Sequence, residues 1–298
     1  MKVLVAGGTG FLGRHIAVML SAAGHDIAVL SRSPSKVASV PGLGGMRALG
    51  ADVTSPESLR GKLDGFDAVV GAVQFPNHPV EVPRKGLTYD RYDREGTENL
   101  VAEAVSAGVR HYVYISGAGA DVASDKSWYR AKGYAELVLT EAGLDHAIVR
   151  PSWAYGPEDR ALNRFAKIAR FSPVVPRLGV KPQVVQPIHV DDVAEAVRRI
   201  FDRQAWRQVF EVGGPETMTM DEIIKVLLGV LGKRRLVLPI PKLLAQAGTA
   251  PFVLLPKPPM TPFGIDFAMQ DGVVDTRRAA DVLGVEPVPL AEGLRRYM

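Results

Sequence analysis

A chain of 298 residues has material for one large domain or one and a half and can bury a core of its own. The 47% hydrophobic and 23% charged fractions exclude a disordered chain, and the absence of cysteine excludes disulfides, thiolate nucleophiles and cysteine-ligated metals. Lys plus Arg number 36 against 32 for Asp plus Glu, and this formal +4 contains no long basic block, which argues against a nucleic-acid surface.

The chain opens with Met1-Lys2-Val3-Leu4-Val5-Ala6-Gly7-Gly8-Thr9-Gly10-Phe11-Leu12-Gly13. Residues 3–6 form a continuous apolar run, the pattern of a central parallel strand covered on both faces. Gly7, Gly10 and Gly13 then suit, in turn, a tight bend, the approach of a pyrophosphate to bare backbone, and close packing of a helix on the strand. Phe11, Leu12, Ile16, Ala17 and Leu20 recur with helical spacing, so the unpaired N–H groups of that helix face the turn, where a phosphate would sit. Glycine triplets also occur in ordinary turns. Here the strand before the triplet, the helix after it and a second strand over 25–31, with its apolar centre at 26–30, supply the βαβ context that gives it meaning.

After the second strand come Ser31 and Arg32. An acidic residue here would hold the ribose 2′-hydroxyl of NAD, whereas an arginine fork suits a 2′-phosphate; NADP(H) is the expected cofactor and NAD(H) the alternative. The bland reading of Arg32 is a solvated loop residue. A third strand over 46–49 leads to Asp52 and Val53 at the adenine side, and Ser55-Pro56 starts a helix with a serine cap. The fourth strand, 67–73, finishes with Ala72 and Val73, small enough to leave room for a ligand at a strand's carboxyl end. The proline-rich stretch 74–85 reads as a mobile loop over the site.

A helix over 96–107 stops at Gly108 and serves packing alone. The fifth strand, 111–115, ends at Ser116. Trp128-Tyr129-Arg130-Ala131-Lys132 follow on a helix, and a sixth strand over 147–150 runs into Pro151. Such alternation predicts an α/β fold with a doubly wound parallel sheet. A last strand over 210–214, a helix over 218–231 and a proline-interrupted apolar stretch over 236–256 complete the chain. That stretch reads as a lid or pocket wall, with a peripheral membrane contact as the alternative. Trp153, Tyr155 and Phe263 are expected to line a mostly apolar substrate cleft.

Two arrangements take architectural readings. Asp191 or Asp192 is expected to cap the helix that follows it, and Glu136, four residues after Lys132, to form an ordinary helical ion pair with it. The six histidines lack ligand spacing, and no metal is expected.

The glycine turn, Asp52-Val53, Tyr129-Arg130-Ala131-Lys132, Val149-Arg150-Pro151-Ser152, Tyr155-Gly156-Pro157 and His189-Val190-Asp191-Asp192-Val193-Ala194 together resemble the extended or atypical short-chain dehydrogenase/reductase superfamily, including its NAD-dependent epimerase/dehydratase-like members. The likeness spans nearly the whole chain. Within it, the stretches 159–165, 258–262 and 271–275 are most similar to the branch typified by the nucleotide-binding accessory subunit of respiratory complex I. That branch implies an NADP(H)-binding Rossmann domain with a small carboxyl-terminal domain, and an undefined substrate.

The sequence departs from the superfamily at one decisive point. Members with the usual chemistry carry a tyrosine four residues before the lysine as general acid or base. Here that residue is Trp128, which exchanges no proton at neutral pH. Tyr129 is displaced from that position by roughly one hundred degrees around the helix. Ala118 stands about where the helper serine or threonine would be, and Ser116 is a poor substitute. Lys132 can still bond the nicotinamide ribose, so the resemblance implies cofactor binding with an incomplete Tyr129–Lys132 motif.

The expectation is therefore a dinucleotide-binding domain over 1–215, with an excursion toward the substrate side near 156–185, and a small substrate or lid domain over 216–298. The expected cofactor contacts are Gly7, Thr9, Gly10, Phe11, Leu12, Gly13, Ser31, Arg32, Asp52, Val53, Ala72, Val73, Ser116, Lys132 and Pro151. The first functional reading is a reductase acting on a bulky apolar carbonyl, quinone or isoprenoid-like compound. The other is a non-catalytic NADPH-binding sensor or accessory protein, with a respiratory-complex or peripheral membrane contact. The chain enters its first strand without signal-like regions, so a cytoplasmic location is expected.

Overall fold

The computed structural model describes residues 1–251, 255 and 261–298. Parts of two stretches singled out in the sequence, 258–260 of 258–262 and 252–254 and 256 of 236–256, lie outside the described residues. The chain runs β1 (Lys2–Ala6), α1 (Phe11–Ala22), β2 (Asp26–Ser31), β3 (Arg47–Gly50), α2 (Pro56–Leu59), β4 (Ala68–Gly71), α3 (Gly96–Ser106), β5 (His111–Ile115), α4 (Ser127–Glu141) and β6 (Asp145–Pro151). It continues through β7 (Ala154–Tyr155), α5 (Arg160–Phe171), β8 (Val174–Leu178), β9 (Val184–Val185), β10 (Ile188–His189) and α6 (Val190–Arg203) to β11 (Gln208–Val212). After these come β12 (Met218–Thr219), α7 (Met220–Val230), β13 (Leu236–Ile240), α8 (Lys242–Thr249), α9 (Pro262–Ala268) and α10 (Leu290–Arg295).

Seven strands form one parallel sheet in the order β11-β6-β5-β4-β1-β2-β3. The apolar run of β1 explains its central place. Val3 and Val5 face one way, into a cluster with α1 and α6, while Leu4 and Ala6 face the other way, toward α3 and α4. Each fully buried Val or Leu is worth about 1.5–3 kcal/mol over its exposed state, a gain that an edge position would forfeit on one face. Strand order reverses between β1 and β4, so the crevice at their carboxyl ends lies at a topological switch point, where ligands bind in such sheets.

A third cluster joins Leu162, Ala166 and Val175 of the excursion to Ile223, Ile224 and Leu227 of α7 and to Leu290 and Leu294 of α10. The expected helix over 218–231 is divided. Met218 and Thr219 pair antiparallel with β9, and Thr219 caps α7 in a reciprocal capping box with Glu222. The stretch 236–256 also gains structure, since β13 pairs in parallel with β8 and α8 follows it. Within 74–85, Phe75 and Val80 are buried, which anchors a segment expected to be a loose loop. Among the described residues no helix is long and apolar enough to cross a membrane, and no His, Cys, Asp and Glu cluster could hold a metal ion.

Candidate functional site

The turn after β1 needs two of its glycines for the fold itself. Gly7 adopts φ 80°, and a Cβ on Gly13 would lie 2.3 Å from the Gly7 carbonyl oxygen. Gly10 differs. A Cβ there would meet only the Gly7 oxygen, at 3.1 Å. It is the N-cap of α1, has no side chain to cap the helix, and leaves the first N–H groups of α1 to an outside acceptor. Thr9, Gly10, Phe11, Arg14, Val40, Glu158 and Arg160 line a cavity of about 250 Å³ beside the turn. Bare backbone, a helix N-terminus and flanking arginines fit a pyrophosphate.

The other expected cofactor residues gather on the same sheet edge because they end or follow parallel strands. Leu12 packs against the cluster under α1. Ser31 closes β2, its Oγ accepting from Ser33 N at 3.2 Å, and the Arg32 guanidinium lies 5.8 Å from the Tyr92 ring centroid. Asp52 follows β3; its Oδ1 accepts from Thr54 N at 2.9 Å and Thr54 Oγ1 at 2.8 Å, which orders the turn. Val53 is buried against Gly96. Ala72 extends β4, its N donating to Ala6 O at 2.9 Å, and Val73 packs on the opposite cluster. Pro151 closes β6 and accepts from Ala118 N at 3.0 Å.

Ser116 sits at the end of β5 but spends its hydroxyl on a buried network. It donates to Glu136, which also accepts from Arg150 Nε at 2.9 Å and Nη2 at 2.5 Å. The expected pairing of Glu136 with Lys132 is thereby corrected, because Arg150 reaches Glu136 from the neighbouring β6 with a two-pronged fork.

Lys132 pairs instead with Asp93, at 3.2 Å, and its Nζ donates to Ile115 O at 3.4 Å. Asp93 is 0% exposed and the Lys132 side chain 14%. Burial works against the Lys132 charge, but Tyr114 and Asp93 more than offset it and hold the ammonium above its ordinary range. Asp93 escaped the sequence reading because it lies on a π-turn, Asp90–Glu95, that runs without a break into α3. A π-turn shifts the register of side chains and leaves no periodic signal.

Trp128, four residues before Lys132, is 4% exposed in a cluster with Phe75, Tyr89, Tyr92 and Ala131, and Phe263 and Phe267 pack against it. Its ring stands edge-on to Phe263 at 5.0 Å and to Phe267 at 5.3 Å. Within this cluster Tyr89 Oη bonds His78 Nδ1 at 2.8 Å. Burial, helped by the Lys132 charge, pushes His78 down to about 3, and burial raises Tyr89, so both are neutral at physiological pH. Tyr129 packs against the same cluster, its ring 5.6 Å from that of Trp128 and against Gly119. The expected cleft lining is also corrected: Phe263 belongs to this cluster, whereas Trp153 and Tyr155 pack in the third cluster, Tyr155 fully buried.

A polar network borders the cavity beside the glycine turn. His15 Nδ1 lies 2.6 Å from Asp191 Oδ1, His15 Nε2 lies 3.1 Å from Glu158 Oε2, and Arg14 donates to Glu158 at 2.5 Å. Burial pulls the His15 pKa down, but the bonds to Asp191 and Glu158 outweigh it and leave it raised. Asp191 is thus not the expected helix cap. His189 is the N-cap of α6, accepting from Asp191 N at 3.3 Å, and Asp192 accepts from Val288 N at 3.0 Å.

A family model described as NAD(P)H-binding matches residues 7–203. The chain belongs to the NAD(P)H-binding family. It is 26% identical, over 99% of its own length and 78% of the relative's, to the NADH-ubiquinone oxidoreductase 40 kDa subunit of Neurospora crassa mitochondria. It is 27% identical, over 83% of its length, to NADH dehydrogenase [ubiquinone] 1 alpha subcomplex subunit 9 of Arabidopsis thaliana mitochondria, and spans 62% of that relative. Its fold matches, with a TM-score of 0.77 and 18% identity, UDP-glucuronic acid 4-epimerase from Bacillus cereus in complex with UDP-glucuronic acid and NAD, covering 100% of this chain and 98% of that one.

Proposed function

We propose that this protein binds NADP(H) along the carboxyl edge of its sheet and holds it as a non-catalytic accessory or sensing ligand, in the service of a respiratory or regulatory assembly. The observation that carries the reading is the Lys132–Asp93 pair beside a packed aromatic cluster that includes Trp128. A lysine charge already matched by a buried carboxylate does little to make a tyrosine acidic, and no activated tyrosine stands four residues before it. The relatives named as subunits of NADH dehydrogenase complexes support the accessory role. Arg32 favours the 2′-phosphate of NADP(H), with NAD(H) as the alternative. Phosphate would be held by residues 9–13, the ribose by Lys132, and the adenine beside Asp52 and Val53. Bound NADP(H) would supply a hydride donor, and this chain's residues would bind and orient it. Residues 1–215 would form the cofactor domain, and 216–298 with the excursion the face turned to substrate or partner.

A second reading, reduction of a bulky apolar carbonyl, quinone or isoprenoid-like compound, draws on Tyr129, half-buried on α4 one turn before Lys132. Supplying quinones and aldehydes to the NADPH-loaded protein separates the two. The accessory reading expects no NADPH consumption. Consumption that falls about a hundredfold in Tyr129→Phe, with NADPH affinity preserved, would overturn it and restore the ordinary mechanism.

A further inference from the structure

The outward face of the β8–β13 pair is apolar from end to end. Its parallel register sets Leu236 beside Val174, Leu238 beside Pro176 and Ile240 beside Leu178, and paired residues share a face. The alternate residues point inward: Val175 and Val237 join the third cluster, and Arg177 pairs with Asp221 at 2.6 Å. Phe171, at the end of α5, is 84% exposed. After the single residue Pro241, α8 adds Leu243 at 78% and Leu244 at 66% exposure and buries none of its own residues. Apolar side chains exposed together on adjoining elements mark an interaction surface.

The charge carried by the segments that build this face is basic, apart from Asp266 and Asp221, which border it paired with Lys242 and Arg177. Between Asp159 and Asp191 the sequence has six Lys or Arg and no acid, and between Glu222 and Asp266 it has six more and no acid. Subtracting these twelve charges from the formal +4 leaves the rest of the chain at −8. Pairing of β8 with β13 brings the two acid-free stretches together. At one end, exposed Lys233 and Arg234 lie near exposed Arg170, where Arg235 Nε donates to Ala169 O at 2.8 Å. At the other, exposed Lys181 follows the turn in which Gly179 N donates to Ile240 O at 2.8 Å.

We infer that this face docks on an anionic lipid surface, with Phe171, Leu243 and Leu244 entering the boundary between headgroups and acyl chains and the flanking Lys and Arg meeting the headgroups. Exposed apolar side chains between basic ones are what a bilayer interface selects. A protein interface ordinarily pairs charges of both signs, whereas a sheet of anionic headgroups is uniform. A second copy would set basic residues against basic residues. Single-stranded nucleic acid gains from stacked aromatics, and the leucines would contribute nothing to it.

Sedimentation of the full chain with vesicles of phosphatidylcholine, alone or mixed with phosphatidylglycerol, tests the assignment. The protein should follow the mixed vesicles, lose them as salt is raised, and ignore the neutral ones. Lys233→Gln with Arg234→Gln should weaken the partition about thirtyfold, and Leu243→Ser with Leu244→Ser about tenfold or more. Both variants should keep the melting temperature and its rise with NADPH, which separates failure to dock from failure to fold or to bind cofactor. Lys62→Gln, in the turn after α2, should bind as the unsubstituted protein does. Equal binding to both vesicle types, variants that bind unchanged, or a concentration-dependent dimer abolished by the same substitutions would each overturn the lipid assignment, the last in favour of a second copy.

Discussion

The two ends of the crevice are built on opposite plans. At the β1–α1 turn the chain leaves backbone bare: Gly10 is uncapped, and the cavity beside it is bordered by Arg14 and Arg160, with Glu158 paired to Arg14. At the Lys132 end the chain supplies its own partners, a buried carboxylate for the ammonium and an aromatic cluster around Trp128. Backbone donors and a helix N-terminus serve any pyrophosphate, while proton transfer needs one side chain at one position. On the proposed reading, binding persists in a scaffold without the usual relay.

The largest test of this contrast removes the partner at the filled end. Asp93→Ala leaves Lys132 charged and without its carboxylate in a mostly buried place, and should cost about 3–5 kcal/mol in urea unfolding. A loss under about 1 kcal/mol would mean that the pair is incidental and Lys132 free to act. At the open end, NADPH at about a hundred times its dissociation constant should stabilise the protein by about 2.7 kcal/mol, and Gly10→Val should abolish that gain. A melting curve of the variant that still rises with NADPH would remove the turn from the cofactor site. Arg32→Asp should weaken NADPH by about tenfold or more, on the scale of one hydrogen bond to a charged group, and spare NADH. Calorimetry giving equal affinities before and after the change would discard the 2′-phosphate contact.

The smallest effect concerns the rim. His15 has a raised pKa, so the stability it contributes is full below its unfolded value of about 6.5 and fades as pH rises through the higher folded value. His15→Gln should therefore lie below the parent by under about 1 kcal/mol near pH 6, and the gap should narrow by about pH 9. A gap independent of pH would assign His15 to packing, with Arg14, Glu158, Asp191 and His189 indifferent to its charge.

Local patterns made the sheet legible. The apolar run of β1, the glycines after it and the strand at 111–115 each carry their structure within a few residues, and Gly7 and Gly13 behave as their spacing implies. What the sequence concealed is non-local. Lys132 finds Asp93 through a π-turn with no periodic signature, and Glu136 finds Arg150 on another element. His15 meets Glu158 and Asp191, 143 and 176 residues away. The acid-free stretches are visible in the sequence, yet their meaning depends on β8 lying beside β13, which no spacing records. Net charge alone hid them, because the remainder of the chain is acidic.

Strand β11 is the last to join the sheet, and it returns from a long detour to lie in register along β6 from Ala147 to Pro151. Without it, β6 would present an open row of amides and carbonyls, backed by Ala147, Ile148 and Val149, all of them buried in the folded chain. Such a row is a template for another chain. β11 therefore acts as a guard rail, and a fragment ending near residue 203 would expose a sticky edge on which unfinished or damaged copies could assemble into aggregates.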